Sequence, residues 1–479
     1  MEKAPNDRMI ALLTYSFFDQ AGSRMLCGGA ERYLIELSIL IREAFGLQVV
    51  IYQAADVDWH RDYEGIPVVG LACEGNIERL VTRFHEATQD PQLVIYNNFH
   101  LASQASKAPS LVISHGVYWD QPSYQSPEGL NSAIPVLLEA VDHVSEVISV
   151  DTNVINWMRT VDSNRAEKFN YIPNFVDLEQ FKPVPKKPDG ITVLYPRRLY
   201  KPRGFYMFVE VMLRLLPQYP QLRAYFVGQA EIKEEAVLAE LRLQFPERVR
   251  WDTFQPEDMA LAYDNADVVV IPTLCSEGTS LSCLEAMAAE KLVITTDIGG
   301  LPNMIVDGYN GLLIKPQAAA LEAVLTKVLD SPEAFRDLGQ NARRVAQQSF
   351  SLSRWRERWL RVLSTYLGQS DAAATTPKTR SVARTGDPSP QTNAKDEMIS
   401  TLLKYREKLE TENATYQADL DRYYQSLTHL EKVYRDLDLA HQRMCEETKK
   451  VRQDVRHPLV LPGWAALKLV RKVTQALIK

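Results

Sequence analysis

Two doubly wound α/β domains followed by a helical tail are what this sequence predicts, and three observations carry the expectation. Its 479 residues exceed what one ordinary core organises, and a hydrophobic fraction of 46% is that of folded globular domains. Short continuous apolar runs alternate with amphipathic stretches in two successive blocks, which is the rhythm of buried parallel strands and their covering helices. Beyond the second block the pattern changes to a seven-residue repeat.

The first block defines a domain over residues 1–185. Its runs MIALLTY, LQVVIYQ, QLVIYNN, SLVISHG and EVISV are continuous enough to be strands covered on both faces. Between the first two, GGAERYLIELSILIREAF sets Leu34, Leu37 and Ile41 on one helical stripe, as a helix lying on a sheet requires. The segment PVPKKPDG then interrupts the alternation and reads as a linker. The rhythm restarts over residues 186–350 with ITVLYP, RAYFVG, VRWDTF, ADVVVIP and KLVITT, and residues 351–367 are expected to form a helix packing back on the first domain. Ligands of open parallel sheets bind outside the carboxyl ends of the strands, so a cleft between two such lobes is the expected site.

Residues 368–395 are rich in Ala, Thr, Ser and Pro with few large apolar side chains, the composition of a disordered linker. Over 396–456, Leu402, Leu409, Tyr416, Tyr423, Leu430, Leu437, Met444 and Val451 recur every seventh residue, predicting a coiled coil that makes the chain a homo-oligomer. Asn413 at a seam position suits a parallel dimer, while a solitary charged helix is the plainer reading. The basic amphipathic segment 457–479 combines Trp464, Leu467, Val470 and Leu477 with Lys468, Arg471, Lys472 and Lys479. Such a pattern suits an anionic membrane surface and equally a helix packed on its own protein.

Composition narrows the function classes. A formal net charge of -7 exerts no global pull on nucleic acid, so an anionic ligand has to be held locally. The five cysteines are odd in number and lack zinc spacings, which argues against a disulfide framework and a metal site and favours a reducing compartment. No apolar run reaches the roughly 18 residues of a membrane span, and the start has no signal-peptide pattern, so the expected location is cytoplasmic, with peripheral contact at the inner face of the plasma membrane.

The strongest chemical signal lies in residues 272–314, PTLCSEGTSLSCLEAMAAEKLVITTDIGGLPNMIVDGYNGLLI. A strand ends at Ile271, a loop carries Glu277 and Gly278, and a helix starts near Ser280 with Glu285 inside it. Gly278 permits close backbone approach, and the amides of Thr279, Ser280 and Leu281 suit an anion, for which a diphosphate is the natural candidate. Glu285, among Leu284, Ala286, Met287 and Ala288, needs polar partners, which ribose hydroxyls would supply. Taken singly, the two acids would read as a helix cap and a solvated helix residue.

With Glu277 and Glu285 separated by seven residues, and with EGTSLSCLEAM, TTDIGGLPNMIVDGYNGLL, ADVVVIP and GGAERYL, the sequence resembles the retaining GT-B glycosyltransferases of family 4 over most of residues 9–367. The resemblance implies that Glu277 faces a donor sugar and that Glu285 holds the nucleotide ribose. In YPRRLYKPRGF, Arg198, Leu199, Arg203 and Gly204 are similar to the family's R-L-x-x-x-K-G pattern, with arginine in place of lysine. Both arginines would grip a leaving diphosphate as fixed cations without a metal, and neighbouring Lys201 is the alternative to Arg203. Without the acids, the same basic residues would read as a solvated patch.

His115 closes the strand SLVIS and matches the family's strand-end histidine, which looks like a donor-sugar contact rather than a general base. A lone histidine is more often structural. Gly28 and Gly29 resemble the family's glycine-rich turn near the donor phosphate, although a Gly-Gly pair alone is only a tight turn. The sequence departs from the family at Phe175, where glycine is usual, and at Asn303, where glutamate is common. Asp56 and Asp58 imitate a D-x-D metal motif but read as surface acids.

The expected activity is therefore transfer of a hexose from a nucleoside diphosphate sugar to a glycan or lipid-linked acceptor with retention, using no cofactor or metal. The alternatives are a non-catalytic GT-B scaffold organised by its coiled coil, and a GT-B epimerase or hydrolase acting on the nucleotide sugar.

Overall fold

The computed structural model describes residues 9–26, 28–117, 120, 127–185 and 190–368. The coiled coil expected over 396–456, the basic segment 457–479 and all but the first residue of the polar linker 368–395 lie outside the described residues. The first lobe runs β1 (Met9–Thr14), α1 (Gly29–Phe45), β2 (Gln48–Ala55), β3 (Trp59–Tyr63), β4 (Ile66–Ala72), α2 (Ile77–Ala87), β5 (Leu93–Tyr96), β6 (Ser110–Ser114), α3 (Pro127–His143), β7 (Glu146–Ser149), α4 (Asn153–Val161), α5 (Ser163–Ala166) and β8 (Phe169–Tyr171). The second runs β9 (Ile191–Tyr195), α6 (Phe205–Gln218), β10 (Leu222–Val227), α7 (Ile232–Gln244), β11 (Val249–Asp252), α8 (Ala260–Asp264), β12 (Val268–Ile271), α9 (Leu281–Ala288), β13 (Leu292–Thr296), β14 (Leu312–Ile314), α10 (Ala318–Asp330), α11 (Arg336–Ser349) and α12 (Leu352–Leu367).

Both sheets are doubly wound, as expected. The first has the order β3-β4-β2-β1-β5-β6-β7-β8 and the second β11-β10-β9-β12-β13-β14. Every pairing is parallel except β3 with β4. The antiparallel edge hairpin of β3 and β4 is an addition to the expected strands. WHRDY buries only Trp59, so β3 carries no apolar run to announce it. Its indole lies over Gly70, the residue opposite in register, where a Cβ would collide with the ring.

Strand order reverses beside β1 in the first sheet and beside β9 in the second, so each lobe opens a crevice at the carboxyl ends of its central strands. α1 leads out of the first crevice. Its stripe of Leu34, Leu37 and Ile41 is wholly buried, and Gly46, left-handed at φ 63°, ends it by donating its amide to the Arg42 carbonyl at 3.1 Å.

After α11 the chain returns to the first lobe. Trp355, Trp359 and Leu363 of α12 join the first lobe's core, and Trp359 Nε1 donates to the Tyr33 hydroxyl at 2.8 Å. Phe175, where the sequence departs from the family's glycine, packs its ring 4.7 Å from that of Trp355. The two crossing segments pair with each other: Val176 N donates to Phe350 O at 2.9 Å and Leu352 N to Val176 O at 3.1 Å. Removing a buried Trp side chain costs about 3–5 kcal/mol, and Trp359→Ala also leaves the Tyr33 hydroxyl without its donor. The variant is expected to lower the first denaturant-unfolding midpoint of the chain; an unchanged midpoint would show that α12 does not stabilise the first lobe.

Candidate active site at the lobe seam

The second lobe's switch point brings together the loops after β9 and β12. Gly204, at φ 77°, turns so close to the Pro272 carbonyl that a Cβ there would overlap it, and Leu274 N donates to Pro202 O at 2.9 Å. From below, the buried Tyr195 hydroxyl lies 3.1 Å from both the Arg198 and Arg203 carbonyls. These contacts fix where the arginines start, and the side chains then diverge.

Arg197 turns inward. Its Nη1 lies 2.6 Å from Glu277 Oε2, with side chains 8% and 7% exposed, and it also donates to the Thr273 hydroxyl. Arg203 Nη1 reaches the same carboxylate oxygen at 3.3 Å and the Ser276 carbonyl at 2.7 Å, while Thr273 Oγ1 donates to Glu277 at 2.8 Å. Burial alone would raise the Glu277 carboxyl, but Arg197 and Arg203 outweigh it and hold the group below its ordinary range. Arg198 is exposed, with its guanidinium 5.5 Å from the Tyr200 ring, and Lys201 is exposed too. Sequence reasoning missed Arg197, because nothing in a run of two arginines says which one faces the core.

Ser276, left-handed at φ 54°, supports the loop from the other side. Its amide donates to both carboxylate oxygens of Asp120 in the first lobe, at 3.0 and 2.9 Å. α9 starts at Leu281 after the extended Ser280, whose buried hydroxyl has no hydrogen-bond partner among the described residues. Leu281 sits against Gly29 at the start of α1, close enough that a Cβ on Gly29 would stand 3.2 Å from its Cδ1. Two helix starts, each the positive end of a macrodipole, thus face each other across the lobes. Gly28, Gly29 and Arg198 are the exposed members of this region, and Arg198 is near enough to Glu31 to act on its carboxyl.

Glu285, one turn into α9, is 3% exposed. The hydroxyl of fully buried Tyr263 donates to its Oε2 at 2.8 Å, and Arg32 Nη1, from the first turn of α1, lies 2.7 Å from its Oε1. Arg32 is a second residue that sequence reasoning missed; on the α1 pattern it falls among polar positions and reads as solvated.

His115 follows β6 at the first lobe's crevice. Its Nε2 is 2.7 Å from Asn97 Oδ1, and Asn97 Nδ2 donates to Thr14 Oγ1 at 3.1 Å, so residues closing β5 and β1 orient the ring. Burial pushes the His115 pKa down to about 4, which keeps the ring neutral at physiological pH. Gly278 meets the first lobe directly: a Cβ on it would run into the His115 carbonyl. Thr279 donates to Val150 O, Asn174 Nδ2 to Thr279 O at 2.6 Å, and Asn303 pairs with the amide and hydroxyl of Thr152 at 3.1 and 2.9 Å. Asn303, where the family commonly has glutamate, is thus a side chain of the seam.

Asp151 is buried at the same seam, its Oδ1 accepting from Asn153 N at 2.7 Å and its Oδ2 unpartnered among the described residues. Far from the seam, Asp58 forms a two-pronged pair with Arg83 and accepts from Ala72 N, which holds its carboxyl down at about 2. That pairing commits Asp58 to the fold.

The arrangement is that of GT-B glycosyltransferase structures. Sucrose-phosphate synthase of Thermosynechococcus elongatus matches with a TM-score of 0.63 at 21% identity, covering 75% of this chain and 98% of that one. HepE of Anabaena, in complex with UDP-glucose, matches with 0.59 at 21%, covering 74% and 99%. Residues 176–345, from the segment before β9 into α11, match the family model Glycosyl transferases group 1. The D-inositol 3-phosphate glycosyltransferase of Segniliparus rotundus is 28% identical over 189 residues, 36% of this chain and 42% of that protein. The chain spans about half or less of the length of the first curated relatives it matches.

Asp151 gives the seam a pH signature. Burial dominates over the amides of Asn153 and Val154 and raises its carboxyl from an ordinary 3.8 to about 6. The folded chain therefore holds a proton that the unfolded chain has lost, and this contribution to stability, complete below 3.8, disappears as pH rises through 6. His115 acts oppositely, its contribution being present above 6.5 and lost as pH falls through 4. Asp151→Asn is expected to raise the melting temperature more at pH 7 than at pH 4; an equal change at both would remove Asp151 from the titration.

Proposed function

We propose that the chain is a retaining glycosyltransferase that moves a hexose from a nucleoside diphosphate sugar to a glycan or lipid-linked acceptor. The observation that carries this reading is the convergence, on one helix start, of Glu277 bound by Arg197 and Arg203 and of Glu285, opposite the glycine-led start of α1. The family model over residues 176–345 and the UDP-glucose held by the HepE structure support it.

In this mechanism the bond between the anomeric carbon and the diphosphate oxygen breaks as the acceptor oxygen bonds to the same face of that carbon. The acceptor proton passes to the leaving diphosphate. Negative charge developing on that diphosphate meets Arg203, exposed Arg198 and the amides of Thr279, Ser280 and Leu281, with Gly28 and Gly29 admitting it from the α1 side. Glu277 faces the sugar and, through its ion pairs, sets the two guanidinium groups in place. Neutral His115, its Nε2 directed to Asn97, offers Nδ1 to a sugar hydroxyl. Glu285 accepts from the ribose, and closing the seam excludes water that would hydrolyse the donor.

Glu277→Gln keeps the side chain's shape and its bond to Thr273. It is expected to lower transfer on the order of a hundredfold or more while the circular dichroism stays that of the parent, and equal turnover would refute the assigned role. The substrate is found by thermal-shift titration with UDP-, GDP- and ADP-sugars, since a ligand stabilises the folded state by mass action. Anomeric NMR of the product then checks retention, and complete donor turnover without acceptor would favour a hydrolase or epimerase.

The same proposal places the enzyme in the cytoplasm as a homo-oligomer joined through 396–456, with 457–479 meeting the inner face of the plasma membrane. Among the described residues no helix is long and apolar enough to cross a membrane. Deleting residues 396–479 is expected to lower the mass in sedimentation equilibrium to that of a monomer; an unchanged oligomer would discard the pairing.

A further inference from the structure

Glu285 is the group on which the ribose assignment rests, and in the structure it is already occupied. Its side chain is 4% exposed, with Oε2 taken by Tyr263 at 2.8 Å and Oε1 by Arg32 at 2.7 Å. Each oxygen has a lone pair to spare, but at 4% exposure neither is open to a ribose hydroxyl, so one of the covering side chains has to move. Tyr263 is fully buried, its ring edge-on to Phe181 at 5.6 Å, and its hydroxyl also lies 3.2 Å from the Ser282 carbonyl. It has no path out. Arg32 differs in each respect: its side chain is 24% exposed, it comes from the opposite lobe, and it meets the carboxylate through one prong, Nη1. A single-pronged guanidinium contact lacks the second parallel bond that makes arginine–carboxylate pairs strong.

We propose that Arg32 competes with the nucleotide ribose for Glu285, so that the interlobe ion pair and ribose binding exclude one another. The proposal rests on the nucleotide-sugar reading of the site. Breaking a partly buried ion pair leaves two charges to satisfy, and the site can satisfy both. Ribose hydroxyls donate to the carboxylate. The displaced guanidinium, on the first turn of α1, is then beside the helix start proposed to admit the diphosphate, where its charge meets an anion again. A nucleoside diphosphate therefore releases Arg32 at smaller cost than a nucleoside does, because only the former offers the guanidinium a new partner. Arg32 thus tunes discrimination at the ribose, and it ties one lobe to the other until a nucleotide is bound.

The test is calorimetric titration of the full chain with UDP, GDP and ADP, each beside its 2′,3′-dideoxy counterpart. The ratio of the two affinities for one base isolates the ribose hydroxyls from the phosphates, and a merely structural role for Arg32 would leave it unmoved. Arg32→Ala is expected to raise this ratio at least fivefold over the parent, whereas Arg32→Lys, which keeps a competing charge, stays near the parent value. Arg32→Met, which retains the aliphatic stem, is expected to behave as Arg32→Ala does and serves if the smaller residue impairs folding. In Glu285→Gln the ratio is expected to fall toward one, and adding Arg32→Ala should then change nothing. An unchanged or lowered ratio in Arg32→Ala and Arg32→Met, with a ratio in the parent that depends on Glu285, would overturn the competition alone. A parent that binds none of the three nucleotides, or binds them with no dependence on Glu285, would overturn the nucleotide reading together with it.

Discussion

The geometry of this molecule depends on one buried carboxylate held between two guanidinium groups. Glu277 is removed from water, and an isolated charge in that position would be neutralised rather than tolerated. Arg197 and Arg203 prevent this, and in doing so they join the loop after β9 to the loop after β12. The left-handed Ser276, the overlap-tight Gly204 and the Thr273 hydroxyl all serve to deliver side chains to this point. Truncating one member of such a pair leaves a buried charge uncompensated at a cost of about 3–5 kcal/mol, so local stability depends on Glu277 and its two partners together.

The second constraint is the seam between the lobes, built mainly from backbone and short polar side chains. Gly278 lies against the His115 carbonyl, Asn174 and Thr279 bond across it, Asn303 holds Thr152, and Asp120 receives the Ser276 amide. Polar contacts of this kind exchange for water at small net cost, unlike an apolar interface of equal area. A seam of this composition suits a cleft that admits a polar ligand. An apolar attachment between the halves is supplied by α12, whose tryptophans are built into the first lobe.

How much of this was legible in the sequence differed by element. Buried parallel strands are continuous apolar runs, so those flanking both crevices were recognisable, while β3, which buries one side chain, left no run to read. Glu277 and Glu285 stood out through the family resemblance that their separation by seven residues carries, and taken singly they would have read as a helix cap and a solvated residue. Arg197 and Arg32 did not stand out. An arginine beside another arginine, and an arginine among the polar positions of an amphipathic helix, both read as solvated, and only their partners distinguish them.

By itself the sequence determined the two doubly wound lobes, the place of the cleft and the acids that flank a helix start, because periodicity and short-range spacing are properties of neighbouring residues. The tertiary structure alone decided which guanidinium each acid receives. Glu277 pairs with Arg197 across 80 residues, and Glu285 with Arg32 across 253. Such pairings follow from how two sheets and their loops are brought face to face, and the pattern along the chain contains no record of that approach.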